Sequence, residues 1–352
     1  MKTIKSKWEQ DEDIKHFIEV VDVPVPQKNE VVVQVKACGL SAINKKILTE
    51  VFQKSSCDNF IVGWEVAGIV TKADDSVSHV SVGDEVVGIL PVDSPFSGCA
   101  EYSLFHEFDV VKKPETLSFE EAAAGIGELV KAYTALFYQG HVCSGDTILV
   151  LDGATAFGSI AIQLARMWGA KIITTVSSKE EKNYLESLPF SVAQIIEVSV
   201  KNNILVSSVM EETGGVGVDV VLDNGARQFS TEEDIILMSE KYKFPVPHKH
   251  DIISCLAVSG KWITSQFGLQ LDPPDSQQLF LRGASLCFLF DQVWTLSYAQ
   301  QGRYQHVLHD AVDKLHGGLV KVKIAKTVSM DEVVEVMKNL DNFRVGKVIM
   351  KI

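Results

Sequence analysis

From Thr147 to Ser178 the chain switches between two hydrophobic periods. Ile148 to Leu151 is a continuous apolar run. Ile160, Ile162, Leu164 and Ala165 give the next stretch one apolar face, Gly169 closes it, and Lys171 to Val176 is a second apolar run. The order predicts strand, small-residue loop, amphipathic helix and strand. Such a crossover leaves a helix N-terminus open at the carboxyl edge of a parallel sheet, where free backbone N–H groups and the helix dipole favour a pyrophosphate.

The pattern on either side gives the organisation. Up to about Gly125 it is β-rich: Val31 to Ala37 alternates, and Glu65 to Thr71 and Asp84 to Leu90 are short apolar runs punctuated by Gly63, Gly68, Gly83 and Gly88. From Glu128 helix and strand alternate: a helix through Tyr138, the crossover, then strands at Val218 to Leu222, Ile252 to Ala257, Lys261 to Thr264 and Ala284 to Phe290. A helical stretch over Val293 to Leu315 follows. The closing strand GKVIMKI needs a partner outside that sheet and returns to the first domain. Gln228 to His250 is polar, carries Pro245 and Pro247, and reads as a surface insertion. The expectation is an α/β chain with a β-rich domain over 1–126, a Rossmann-type doubly wound parallel sheet over 127–290, and a return over 291–352.

Composition narrows the partners. A chain of 352 residues is long for one core, and a net charge of −13 without clustered Lys and Arg argues against nucleic acid or an anionic membrane surface. The N-terminus lacks an apolar signal core and no apolar run is long enough to insert into a bilayer, so a cytosolic location is expected. Six cysteines without CxxC spacing fit reduced thiols.

The end of the second crossover strand bears on the cofactor. NAD-preferring sites usually place Asp or Glu there for the ribose 2′-hydroxyl, whereas this strand runs into Ser177 and Ser178 with Lys182 shortly after. Two hydroxyls and an ammonium suit the 2′-phosphate of NADPH. The plainer reading has Ser177 capping the helix that begins near Lys179, with Lys182 solvated.

The runs VKACGLSAIN, GWEVAGIV, VGDEVVGIL, GCAEYSLF, AYTAL, AIQLARMWGAKIITTVSSKEEK, TGGVGVDVVLDNGA and GKVIMKI together resemble the medium-chain dehydrogenase/reductase family, zinc-free quinone oxidoreductase branch, over nearly the whole chain. The resemblance implies a GroES-like domain from the first part and the tail, a Rossmann NADP(H)-binding domain between, and a cofactor cleft where they meet. It places Asn224 and Gly225 among the cofactor contacts. It also implies homodimers paired through Ala284 to Phe290, an apolar edge that would otherwise be a pairing hazard. Where zinc-dependent relatives carry Cys and His ligands this chain has Ser41 and Trp64, neither of which supplies a thiolate or imidazole. His248 and His250 are the remaining metal-like spacing and read as a plain polar loop.

Several positions depart from the branch. Aligning strand and helix puts Asp152, Thr155 and Gly158 at the three glycine positions of the nucleotide loop, with Gly153, Ala154, Ala156 and Phe157 between them. A Cβ at a left-handed position costs about 1 kcal/mol. An Asp152 carboxylate facing the pyrophosphate from about 6 Å would add roughly 3 kcal/mol of repulsion per charge at an effective dielectric near 20. The NPxD-like run and following Tyr of active members become Ser41, Asn44 and Lys46. Ser41 or Lys46 is the candidate donor to a developing oxyanion, and Lys46 alternatively a solvated helix residue. Lys131 replaces a Thr that touches the nicotinamide amide, unfavourable beside an oxidised ring. Two readings follow. One is a zinc-independent, NADPH-dependent oxidoreductase acting on a quinone or α,β-unsaturated carbonyl. The other is a catalytically weak binding subunit, for which the resemblance suggests a cytosolic or early-endosomal Rab-effector assembly of the FERRY type.

Overall fold

The computed structural model describes residues 1–8, 14–42, 59–199, 204–228 and 245–352. The chain forms two compact units, Met1–Val130 with Asp291–Ile352, and Lys131–Phe290.

The first unit begins with β1 (Lys2–Trp8), β2 (Ile14–Val20), β3 (Glu30–Leu40), β4 (Asn59–Ile61), β5 (Glu65–Ala73), β6 (Glu85–Ile89), β7 (Tyr102–His106) and β8 (Val110–Lys112). In β3, Val31, Val32, Val33 and Val35 are all buried, because this strand pairs with β5, β7 and β16 (Lys347–Lys351) and lies inside its sheet. Helix α1 (Phe119–Tyr133) starts at Ser118, whose hydroxyl accepts the Glu121 N–H at 3.2 Å and donates to the Glu121 carboxylate at 2.6 Å. Its continuation over Thr134–Gln139 has π-helical bonding.

The second unit runs β9 (Thr147–Val150), α2 (Ala156–Met167), β10 (Lys171–Val176), α3 (Lys179–Glu186), β11 (Gln194–Glu197), α4 (Leu205–Glu212), β12 (Val218–Asp223), α5 (Lys249–Cys255), β13 (Leu256–Thr264), α6 (Pro273–Arg282) and β14 (Ser285–Phe288). Among the described residues these strands form one parallel sheet in the order β11-β10-β9-β12-β13-β14. Its core includes Leu149, Ile173, Val221, Leu256 and the fully buried Trp262. The order reverses between β9 and β12, and in sheets of this kind ligands bind at the carboxyl ends of the strands flanking that reversal.

The tail adds α7 (Gln301–His316), β15 (Ile324–Val328), α8 (Met330–Lys338) and β16 to the first unit. β16 pairs antiparallel with β3 and parallel with β15. No helix among the described residues is long and apolar enough to cross a membrane.

Two expectations are corrected. Ile252 to Ala257 is not one strand: α5 runs to Cys255 and β13 begins at Leu256, because a short apolar run has no period of its own and the buried face of a helix satisfies it equally. Nor is the end of the polar segment a surface loop. His248 caps α5 and is 6% exposed, and the Lys249 ammonium is held by Asp272 at 2.8 Å and Asp275 at 2.9 Å. Residues 229–244 lie outside the described residues.

Candidate functional site

The crossover loop is organised by backbone bonds. Asp152 N–H donates to Thr175 Oγ1 at 2.9 Å and Gly153 N–H to Thr175 O at 3.1 Å, which fixes the loop over the end of β10. Asp152 stands at φ 57°, a left-handed position where a side chain is strained. Gly153 and Gly158 are needed for packing: a Cβ would lie 1.9 Å from Thr174 Oγ1 at the first and 2.5 Å from Asp152 O at the second. Ala154 is buried between them. Thr155 is the N-cap of α2, its hydroxyl accepting the Gly158 N–H at 3.0 Å. Among the described residues no group accepts the N–H of Ala156 or Phe157, although these residues are only 7% and 5% exposed. These are first-turn donors at the positive end of a helix, where an anion is favoured. Lys131 stands beside them, its ammonium 4.6 Å from the centre of the Phe157 ring, so its charge lies at the first turn of α2.

At the end of β10 the cap of α3 is Ser178, whose hydroxyl accepts the Glu181 N–H at 3.2 Å; the cap is not Ser177. Ser177 instead gives its N–H to Glu181 Oε2 at 2.7 Å and its hydroxyl to Glu181 Oε1 at 3.1 Å. Lys182 pairs with Glu197 at 2.6 Å on the surface. The two serines and the lysine stand at the start of one helix, and two of the three are engaged by carboxylates.

Across the reversal, Asp223 closes β12 with a carboxylate that receives the Trp262 indole N–H, the Thr264 hydroxyl at 2.9 Å and the Gly225 N–H at 2.9 Å. Burial pushes its pKa up to about 6 despite these donors. The bond to Gly225, at φ 140°, shapes the turn that leaves Asn224 exposed at the strand end.

In the first unit, Ser41 and the residue after Trp64 meet two partners that sequence reasoning missed. Lys347 Nζ lies 2.6 Å from Glu65 Oε1, 2.6 Å from Glu128 Oε1 and 2.7 Å from Ser41 Oγ, and Ser41 Oγ donates to Glu65 Oε2 at 3.1 Å. Glu65 is 2% exposed and Lys347 4%. Room is made by glycines: a Cβ on Gly39 would fall 2.7 Å from Glu65 Oε2, and one on Gly127, inside α1, 2.3 Å from Glu65 Oε1. Burial pushes the Glu65 carboxyl above the usual range, with the Lys347 ammonium opposing. Burial pulls the ammonium down, but Glu128 and Glu65 outweigh it and hold Lys347 above its ordinary range. The Trp64 side chain is largely buried, and its carbonyl accepts the Leu90 N–H at 2.8 Å. Asn44 and Lys46 lie outside the described residues. The available signal was a charge inside an apolar run: Glu65 in GWEVAGIV, Lys347 in GKVIMKI and Asp223 in VDVVLD, where a buried charge demands a partner.

Residues 27–129 match the alcohol dehydrogenase GroES-like domain and residues 156–238 the zinc-binding dehydrogenase family. The chain belongs to the medium-chain dehydrogenase/reductase family, in its quinone oxidoreductase branch. Quinone oxidoreductase-like protein 1 of Mus musculus is 47% identical over 316 residues, covering 90% of this chain and 89% of that protein. Quinone oxidoreductase of Homo sapiens is 28% identical over 220 residues, 62% of this chain and 64% of that one. In fold, the chain is similar to Escherichia coli quinone oxidoreductase complexed with NADPH, with a TM-score of 0.78, 21% identity and coverage of 100% of both chains. The CurK enoyl reductase gives a TM-score of 0.79 at 22% identity, covering 99% of this chain and 98% of that one.

Proposed function

We propose that the protein is an NADPH-dependent oxidoreductase of the quinone oxidoreductase type, reducing a quinone or α,β-unsaturated carbonyl without zinc. The observation that carries the reading is the first turn of α2, where the N–H groups of Ala156 and Phe157, both largely buried residues, have no acceptor among the described residues. A pyrophosphate supplies the missing acceptors, and the Lys131 charge at that turn offsets the Asp152 carboxylate. Ser177, Ser178 and Lys182 are the groups for the ribose 2′-phosphate, with Lys182 released from an exposed pair worth little by itself. Asn224 and Gly225, at the end of β12, complete the binding edge.

Bound NADPH supplies the hydride. The chain orients the acceptor and delivers a proton, for which Ser41 is the hydroxyl on a buried charge cluster. Zinc does not fit at Ser41, because a metal ion on that oxygen would face the Lys347 ammonium that donates to it at 2.7 Å. A second copy pairing along β14, an edge strand with Phe288 57% exposed, would cover that edge in a homodimer.

Titration with NADPH, followed by nicotinamide fluorescence and melting temperature, tests the reading: stabilisation of about 3 kcal/mol is expected at a hundred times the dissociation constant. Consumption of NADPH on adding a simple quinone then tests turnover. No shift at about millimolar NADPH would discard it, since that concentration exceeds any working affinity. One observation favours the second reading, a binding subunit of a cytosolic or endosomal Rab-effector complex: Glu181 already holds the Ser177 donors that a 2′-phosphate would take. That reading expects no turnover even where NADPH binds.

A further inference from the structure

We propose that the Asp109 carboxyl is a proton-operated latch under the tail helix α7: protonated, it lets the helix lie against the turn that precedes β8, and ionised, it loosens that seat. All the parts belong to the first unit, where α7 packs on the single turn Glu107–Asp109 between β7 and β8. The latch needs neither cofactor nor turnover.

The seat is built from polar groups. Gln305 of α7 directs its side-chain amide at backbone oxygens of the turn, donating to Phe108 O at 2.7 Å and to Val110 O at 3.1 Å. Its neighbour Tyr304 is fully buried, and among the described residues its hydroxyl has no hydrogen-bond partner. Asp109 is buried as well, and no group among the described residues hydrogen-bonds its carboxyl. Glu107 shows the contrast within one turn. It too is buried, yet its carboxylate accepts the Ser78 N–H at 2.8 Å and the His79 N–H at 3.1 Å. A buried carboxylate without such donors is costly, so the Asp109 carboxyl favours its neutral form while the helix covers it.

The groups facing Asp109 reinforce this. Asp93, on the loop after β6, repels a charge there, and the Tyr304 phenol on α7 brings no compensating one. On its own turn Glu107 is bonded as above, His106 accepts the Phe108 N–H at 3.4 Å, and the His79 ring meets the Phe108 ring edge-on at 4.9 Å. His306 and His309 of α7 are exposed. Among the described residues no ammonium or guanidinium pairs with the carboxyl. The positive end of α7 favours the anion, but a helix-end dipole is a weaker effect than the desolvation of a charge. Burial first, and the Asp93 charge second, push Asp109 up to about 7. An exposed Asp titrates at about 3.9, so the docked helix retains a proton that the undocked one releases. The seat is at full strength below about pH 4, weakens as the pH rises to about 7, and changes little above that.

Hydrogen exchange of the intact protein, read on peptides covering 301–316 and corrected for the intrinsic pH dependence of exchange, tests the latch. Between about pH 5.5 and about pH 8.5 the wild-type protection of α7 should fall about thirtyfold, most of it before about pH 7. Asp109→Asn keeps the shape and removes the titration, and should hold α7 protection level while His306 and His309 still titrate. Asp93→Asn, a change on an exposed loop that leaves the buried seat intact, should shrink the wild-type fall. The strand β3 should keep its protection throughout. Wild-type protection that ignores pH, a fall that survives Asp109→Asn, a fall undiminished in Asp93→Asn, or an equal fall across β3 overturns the latch.

Discussion

At the crossover of the second unit the groups proposed to hold an anion are backbone N–H donors at Ala156 and Phe157, set by where a helix begins. In the first unit the clustered groups are side chains, Ser41 just after β3, Glu65 on β5, Glu128 on α1 and Lys347 on β16. The difference bears on tolerance. A backbone site survives substitution of glycines as long as the turn still closes, and here Asp152 at φ 57° and the Thr155 cap close it. A side-chain site survives only if every charge keeps its partner. Changes at the loop are therefore expected to act by degrees, and loss of a charge from the cluster abruptly.

The largest effect should come from Lys347→Met. It leaves the buried Glu65 carboxyl without its ammonium partner and should cost about 3–5 kcal/mol in chemical denaturation. The deficit should shrink as the pH is lowered, because protonation then neutralises the Glu65 carboxyl; a small, pH-independent loss would break the contrast. At the crossover, Gly158→Val should cost about 3 kcal/mol, since a Cβ there meets a backbone oxygen that has nowhere to go. A folded, wild-type-stable Gly158→Val would show the loop to be looser than its bonds imply.

Asp223 sharpens the comparison through pH. Its pKa is raised from 3.8 to about 6, chiefly by burial, so its contribution to stability is full below about pH 4 and is lost as the pH rises through about 6. That is on the order of 3 kcal/mol, and the corresponding slope of unfolding free energy should be absent in Asp223→Asn. Identical slopes in the two proteins would contradict it. The smallest effect on stability belongs to Asp152→Gly, which should gain about 1 kcal/mol by removing left-handed strain. If the carboxylate faces the phosphates, the same change should tighten NADPH up to about a hundredfold, as read by fluorescence titration.

How much was legible follows from what makes each feature. The crossover strands, the helix face of Ile160 and Leu164 and the strand ending at Asp223 are periodic, and the period is written in consecutive residues. The Ile252 segment misled because six apolar-rich residues do not distinguish a buried strand from a buried helix. Capping by Ser178 rather than Ser177 turned on one residue of register, which the strand end at Val176 decides.

The sequence by itself determined the two architectures and the position of the strand–loop–helix–strand crossover. Only the tertiary structure decided what Ser41 touches. Val348 pairs with Leu40 in the β16–β3 register, so the next residue outward on each strand, Lys347 and Ser41, meet across 306 positions of chain. Nothing in either local pattern encodes that meeting, because a hydrophobic period specifies which face of a strand is buried and is silent on which distant strand will lie beside it.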